Sequence, residues 1–316
     1  MEERRGMLLV AAAGIFWATT GIFGTVLFRE GLDPVGVASS RTVLAVIIFL
    51  IFFLFAFPRS LAVTKEQLLR LSLAGLVSVA IFNVFYMNAI DLVGASMAVV
   101  LLYTSPVFAV LLSRLILREP FTWEKIVAVI LTFSGVVLVS EVFHLPSLLD
   151  NTAGILTGLG SGMAFAFLSV FGKHLLGEIP RLTASFYILF LGSIFLSLIH
   201  PPWKLAGEGW DLSLLPYFLA MVVVSTLLSH YCYINGLSYI EAGKASIVVA
   251  VEPVAAILMA FVFLGERLVG LQYVGVVLVM AGVAVLRAKD FWGHDWGNGR
   301  GHDWRNGWRN GWRNGR

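Results

Sequence analysis

Charge is scarce in this chain. Of 316 residues, 13% are charged and 59% are hydrophobic, and the mean hydropathy is +0.88. Soluble domains carry about 25% charged residues. A chain of this length with so few charges cannot cover a water-facing surface, which excludes an ordinary soluble protein and leaves an integral membrane protein. The net charge of +3 gives no reason to expect a nucleic-acid partner. A single cysteine, Cys232, excludes an intrachain disulfide and a cysteine metal site. No Gly-rich loop ends in Gly-Lys-Ser/Thr, and no soluble domain is present to hold one, so an ATP-driven pump is excluded. No cofactor and no metal are expected. A cleavable leader is not expected either. The charged start Met1–Arg5 runs into about twenty apolar residues from Met7, too long for a signal-peptide core and without a small-residue cleavage site.

What is present is a sequence that reads twice. At a constant offset of 147, Tyr86 and Asn88 fall on Tyr233 and Asn235, Pro106-Val107 on Pro253-Val254, Glu119 on Glu266, and Gly135-Val136 on Gly282-Val283. At an offset of 146, Pro34 and Ser39 fall on Pro180 and Ser185. A span needs roughly 20 apolar residues. Ten such runs are expected: 7–27, 34–57, 68–88, 93–117, 124–141, 152–173, 181–200, 213–234, 241–264 and 269–287. The expected fold is all-α and membrane-embedded, with a first repeat at 7–141 and a second at 152–287. A cytoplasmic N-terminus occupies 1–6, an outer linker 142–151, and a low-complexity cytoplasmic tail 288–316.

The positive-inside rule orients this arrangement. With the N-terminus inside, the inner segments hold Arg4, Arg5, Arg59, Lys65, Arg70, Arg114, Arg118, Lys125, Lys173, Arg181, Lys244, Arg287 and Lys289. The outer ones hold only Arg29, Lys204 and Arg267. Both termini are therefore expected in the cytoplasm. Five spans per repeat is an odd number, so the second repeat is expected upside down relative to the first. The connection carrying Pro201, Pro202, Trp203 and Trp210 suits a membrane interface. The tail repeats Asn, Gly, Trp and Arg without apolar periodicity and is expected to be disordered.

Gly154, Gly158, Gly162 and Ala166 lie along one face of the sixth helix. Small residues there let another backbone approach closely. Internal packing is the expected use, and a homodimer is the alternative. The first helix has a similar face at Gly14, Ala18, Gly21 and Thr25. Pro106 and Pro253 sit inside the fourth and ninth spans. A proline there removes a backbone hydrogen bond and bends the helix. Paired interruptions in two halves point to a central site near the midplane.

The residues match a family at this point. Trp17-Ala18-Thr19-Thr20, Ser39-Ser40-Arg41-Thr42, and Tyr86 followed by Ala95-Ser96, Pro106, Glu119 and Gly135 form an ordered set. The second half repeats it as Tyr233, Ala242, Pro253-Val254, Leu264-Gly265-Glu266 and Gly282. Over about 7–287 the chain resembles the drug/metabolite transporter superfamily, specifically its EamA-type members with two EamA domains. The resemblance implies ten helices in inverted repeats, alternating access from a central cavity, and a small-molecule substrate such as an amino acid or related metabolite, often moved outward. One departure is that Arg118-Glu119-Pro120 of the first half stands where the second has Gly265-Glu266-Arg267.

Ionisable groups deep in a membrane are few and costly, which makes them candidates for substrate binding or coupling. Arg41 can hold a substrate carboxylate in two-pronged fashion, or partner Glu252 or backbone carbonyls. Glu252, directly before Pro253, can exchange a proton during the cycle or bind an ammonium group. Its equivalent in the first half is Ser105, so the acid is not part of the symmetric frame. His230 can relay protons or simply bond a neighbour. Asn83, Tyr86, Asn88, Tyr103, Tyr231, Tyr233 and Asn235 can line a cavity, and Trp17 can wall it. Protons are the expected coupling ion, and the lipid bilayer is the expected surround. The leading expectation is a secondary exporter of amino acids or related metabolites, not an enzyme. A multidrug or nucleotide-sugar transporter of the same fold is the alternative, and a membrane scaffold the less favoured one. An intramembrane enzyme would need clustered acids and histidines, and Glu252 with His230 does not make such a cluster.

Overall fold

The computed structural model describes residues 2–56, 61–141, 151–207, 211–265, 267–268 and 270–292. The expected outer linker over 142–150, Trp210, Glu266 and tail residues 293–316 lie outside these. Among the described residues the chain is helical, with no strand. The helices are α1 (Glu2–Arg29), α2 (Pro34–Ala56), α3 (Lys65–Leu102), α4 (Ser105–Leu117), α5 (Trp123–Val139), α6 (Thr152–Leu175), α7 (Arg181–Ile199), α8 (Leu212–Leu237), α9 (Ala242–Val248), α10 (Val251–Met259) and α11 (Gly270–Trp292). Among the described residues seven helical stretches are long and apolar enough to cross a membrane, with α9 and α10 counted as one, while α4 and the Gly270–Leu286 part of α11 are shorter apolar helices. The third expected run and the first part of the fourth are joined in α3, but Gly94 breaks the helical path there with φ 79° and ψ 160°, and the rest of the fourth is α4. Glycine adopts that conformation without a Cβ clash. α11 runs to Trp292, past the expected boundary at 287.

Large apolar side chains face outward without a protein partner, among them Phe55, Leu115, Leu198 and Phe263. In hydrocarbon this surface is solvated, and backbone polar groups are satisfied inside each helix.

The prolines do more than bend. Helix α4 begins at Ser105 after a break at Tyr103–Thr104, and α10 begins at Val251 after a break at Val249–Ala250. Pro106 and Pro253 sit in the first turns of the new helices, where a missing N–H costs nothing. The expectation of a kink inside a continuous helix is corrected to an interruption. The gap is spanned by tight turns, with the Thr104 N–H donating to the Leu101 carbonyl at 3.2 Å and the Ala250 N–H to the Ile247 carbonyl at 3.1 Å.

The sequence repeat is carried into local geometry. Helix α4 ends in a π-turn at Ser113–Leu117, and α10 runs into one at Ala260–Leu264, again 147 residues apart. Each is closed by a left-handed residue, Arg118 at φ 56° and Gly265 at φ 72°. Helices α5 and α11 then start at Trp123 and Gly270, once more at that offset.

Packing contacts recur in the same way. A Cβ on Gly135 would lie 2.7 Å from the Gly275 carbonyl, and one on Gly282 would lie 3.0 Å from that of Ala128. Ala128 and Gly135 are the repeat equivalents of Gly275 and Gly282, so the contact is reciprocal. Residue numbers rise along α5 as they fall along α11, so the two helices cross antiparallel. The first helices of the halves behave alike at an offset of 148. A Cβ on Gly14 would press on the Val249 carbonyl at 3.0 Å, at the second break. One on Gly162 would press on the Leu102 carbonyl at 3.0 Å, at the first. Each half therefore lays its first helix on the other half's break. The face of Gly154, Gly158 and Gly162 is filled by Leu92, Val93, Leu101 and Thr104 of the same chain. It is spent on internal packing, and the homodimer reading loses its surface.

Candidate functional site

The two breaks meet. Glu252 is the second residue of α10, placed by the interruption at Val249–Ala250. Tyr103 occupies the other interruption. Its hydroxyl donates to Glu252 Oε2 at 2.8 Å, between positions 149 residues apart in sequence. Tyr86 lies within electrostatic reach of Glu252, and Tyr103 of Tyr86 and Tyr233. The repeat equivalent of Glu252 is Ser105, whose hydroxyl is buried without a partner. No cation pairs with Glu252 among the described residues. A carboxyl in hydrocarbon with one neutral donor has acceptor capacity left over.

Aromatic side chains wall this centre. Trp17 of α1 packs on Tyr233 at 5.2 Å and on Phe165 at 5.7 Å. Phe165 of α6 reaches Tyr233 at 5.7 Å and Phe82 at 6.1 Å, and Phe82 stacks on Tyr86 at 5.7 Å. Such pairs add about 0.5–1.5 kcal/mol beyond area burial. Tyr233 has spent its hydroxyl on Ser169 Oγ at 2.6 Å. The structure thus gathers Trp17, Tyr86, Tyr103, Tyr233 and Glu252 from four helices and a break. Phe82, Phe165 and Ser105 belong with them. A phenylalanine in an apolar run looks like any lipid-facing residue, and only packing separates the two.

Arg41 lies elsewhere. It sits on α2 and donates from Nη1 to Thr226 Oγ1 at 2.8 Å. Thr226 belongs to a π-turn at Met221–Leu228 and returns its own bond to the Met221 carbonyl at 3.1 Å. No carboxylate pairs with Arg41 among the described residues, so the expectation of an Arg41–Glu252 pair is not met. Beside it, Thr19 of α1 and Ser225 share a hydrogen bond at 2.6 Å. His230 is buried one turn further along α8, bonded to the Ser185 backbone, with Nε2 unpartnered. Asn83 gives its amide to the Val79 carbonyl at 2.7 Å, within the π-turn at Leu76–Ile81. Its bond is local, as is that of Asn88, which donates to the Val84 carbonyl at 2.7 Å. Asn235 instead accepts from Arg181 at 2.9 Å. The expected Asn88–Asn235 pair is therefore split between unlike surroundings.

Residues 4–141 and 152–288 each match the EamA-like transporter family. An uncharacterized transporter of Archaeoglobus fulgidus is 28% identical over 284 residues, spanning 89% of this chain and 98% of that protein. A threonine/homoserine exporter, RhtA, of Salmonella typhimurium is 29% identical over 251 residues, 78% of this chain and 79% of that one. Its Escherichia coli K12 counterpart is 28% identical over 273 residues, 84% and 86% of the two chains. One solved crystal structure shares the fold with a TM-score of 0.73 at 16% identity, covering 89% of this chain and 96% of that chain.

Proposed function

The chain belongs to the EamA-like transporter family, and on that premise we propose that it is a secondary exporter of amino acids or closely related amine-bearing metabolites. It is a multi-pass membrane transporter and not an enzyme. In our reading ten helical segments form two inverted five-helix repeats: α3 crosses once up to Gly94, its last turns and α4 together make one broken crossing, and α9 and α10 together make the counterpart in the second half. The antiparallel, reciprocal contact of α5 and α11 supports the inversion. Both termini face the cytoplasm, as the clustering of Arg and Lys favours.

The observation that carries the reading is the Tyr103–Glu252 bond, which joins the two helix breaks by a carboxyl with spare acceptor capacity. Interrupted helices in equivalent places of two repeats are where such proteins build a midplane site. Glu252 holds the substrate ammonium or a proton, one at a time, and Tyr103 keeps its carboxyl aimed. The aromatic wall of Trp17, Phe165 and Tyr233 excludes water from one side. Arg41, which rests apart from Glu252 on the Thr226 hydroxyl, is in this reading a second polar point of the pathway where a substrate carboxylate docks. The exporter relatives support the substrate class at the level of amino acids. Coupling to protons follows from an acid that must change partners during the cycle.

The test is counterflow in proteoliposomes loaded with pooled amino acids, with and without a pH gradient. Accelerated exchange of an amino-acid class is expected. Exchange of drugs or nucleotide sugars alone would overturn the substrate reading. Arg41→Lys keeps the charge and loses the fork, and an unaltered apparent affinity would remove Arg41 from the site.

A further inference from the structure

A second polar centre sits away from Glu252, at the end of the bundle that carries Arg114, Arg118, Lys125, Lys173 and Lys244. Glu119 follows the left-handed Arg118 and is 8% exposed. Its carboxylate accepts from the backbone N–H of Ala242 at 2.6 Å and of Gly243 at 3.2 Å. These are first-turn groups of α9, which have no partner within the helix. Lys125, 1% exposed, lies 3.5 Å from Glu119 and 2.8 Å from Glu241, and donates to the Pro120 carbonyl at 2.9 Å. The Glu241 contact is one of charge rather than an aligned hydrogen bond. Lys244 of α9 also reaches Glu3 of α1 at 2.6 Å.

The first half thus holds the start of the second half's broken helix. Helix α9 has seven residues and is a rod of about 10 Å. One end is seized by Glu119, and the other is the break that sets Glu252. A carboxylate on backbone donors is stronger than a neutral cap. Losing one member of a buried charge group leaves the others uncompensated. The position equivalent to Lys125 is Gln272, and the one equivalent to Glu241 is Gly94. The charges at Lys125 and Glu241 are therefore not repeated in the other copy.

We propose that Glu119, with Lys125 and Glu241, is a latch between the two repeats that keeps this end of the pathway shut, and that opening requires it to release α9. The proposal rests on the transport reading above and adds the residues that gate it. Occupancy changes at Glu252 reach the latch through α9 as a rigid rod.

The experiment uses full-length protein carrying Cys232→Ser, Ser113→Cys and Gly243→Cys. A Cβ on Gly243 lies 3.4 Å from Ser113 Oγ, so the two sulfurs come within bonding range. Oxidation is expected to lower counterflow at least tenfold, and reduction to restore it. Undiminished flux in fully cross-linked protein would overturn the proposal. In protein with Gly243→Cys alone on the Cys232→Ser background, Glu119→Gln is expected to raise labelling by an impermeant thiol reagent several-fold. Glu241→Gln, at a more exposed and tolerant side chain, is expected to raise it about twofold. Labelling unchanged in both would also overturn it. The labelling is read without any substrate. If the latch variants label faster while the uncross-linked parent moves no amino acid, the proposed substrate fails and the latch stands.

Discussion

The two helix breaks share a backbone and differ in chemistry. Each follows a tight turn, starts a helix with a proline in its first turn, and lies under a glycine of the opposite half's first helix. At the first break the chain carries Tyr103 and Ser105, and at the second the same positions are Ala250 and Glu252. One break supplies the hydroxyl and the other the acid, and the bond between them closes the pair. The repeat therefore supplies a frame, and departures from the repeat supply the proposed site. The latch follows the same rule, because Lys125 and Glu241 are the charges that the other copy replaces with Gln272 and Gly94.

The largest effect should come from removing the asymmetry. Glu252→Gln is expected to lower flux roughly thirtyfold, about 2 kcal/mol in barrier height, and to flatten its pH dependence. A retained pH response in well-folded protein would take Glu252 out of coupling. Moving the acid, as Glu252→Ser with Ser105→Glu, should not restore flux, because the position facing it is Ala250 and offers no hydroxyl. Recovery would mean that the halves are interchangeable.

Next comes the shared frame. Gly135→Leu and Gly282→Leu each force a side chain into a backbone-to-backbone contact, and such overpacking costs about 1–3 kcal/mol. Thermal unfolding in detergent should show equal losses for the two. A clear inequality would break the pseudo-two-fold relation of α5 and α11. Tyr103→Phe keeps the ring and deletes one hydrogen bond, worth about 1 kcal/mol. A roughly fivefold fall in flux with a stability loss of about 1 kcal/mol is expected, and unchanged flux would leave Glu252 independent of Tyr103. The smallest effect separates the left-handed caps. Gly265→Ala should cost about 1 kcal/mol, while Arg118→Gly should gain no more than that, because only glycine takes this conformation without strain. Equal signs in unfolding measurements would contradict the paired geometry.

Part of the proposed site was legible in the residues. Trp17, Tyr86, Tyr103, Tyr233 and Glu252 stood out because polar and amphipathic groups in apolar runs must find a partner, and the structure brings these together. Arg41, His230 and Asn83 stood out for the same reason and rest apart from that group, on the Thr226 hydroxyl, the Ser185 backbone and the Val79 carbonyl. Pro106 and Pro253 marked the right places but not the full effect, because a proline says where a helix cannot continue and not whether it bends or stops. Glu119 appeared in the sequence only as a repeated residue near a helix end. Its role as a cap depends on a backbone more than a hundred residues away.

The sequence by itself determined the medium and the repeat, because hydropathy and an offset are properties of the chain read in order. Which polar residues meet was decided by the tertiary structure alone. A helix turns by about 100° per residue, so whether a side chain faces lipid or the partner repeat depends on rotations that only packing against the other half fixes.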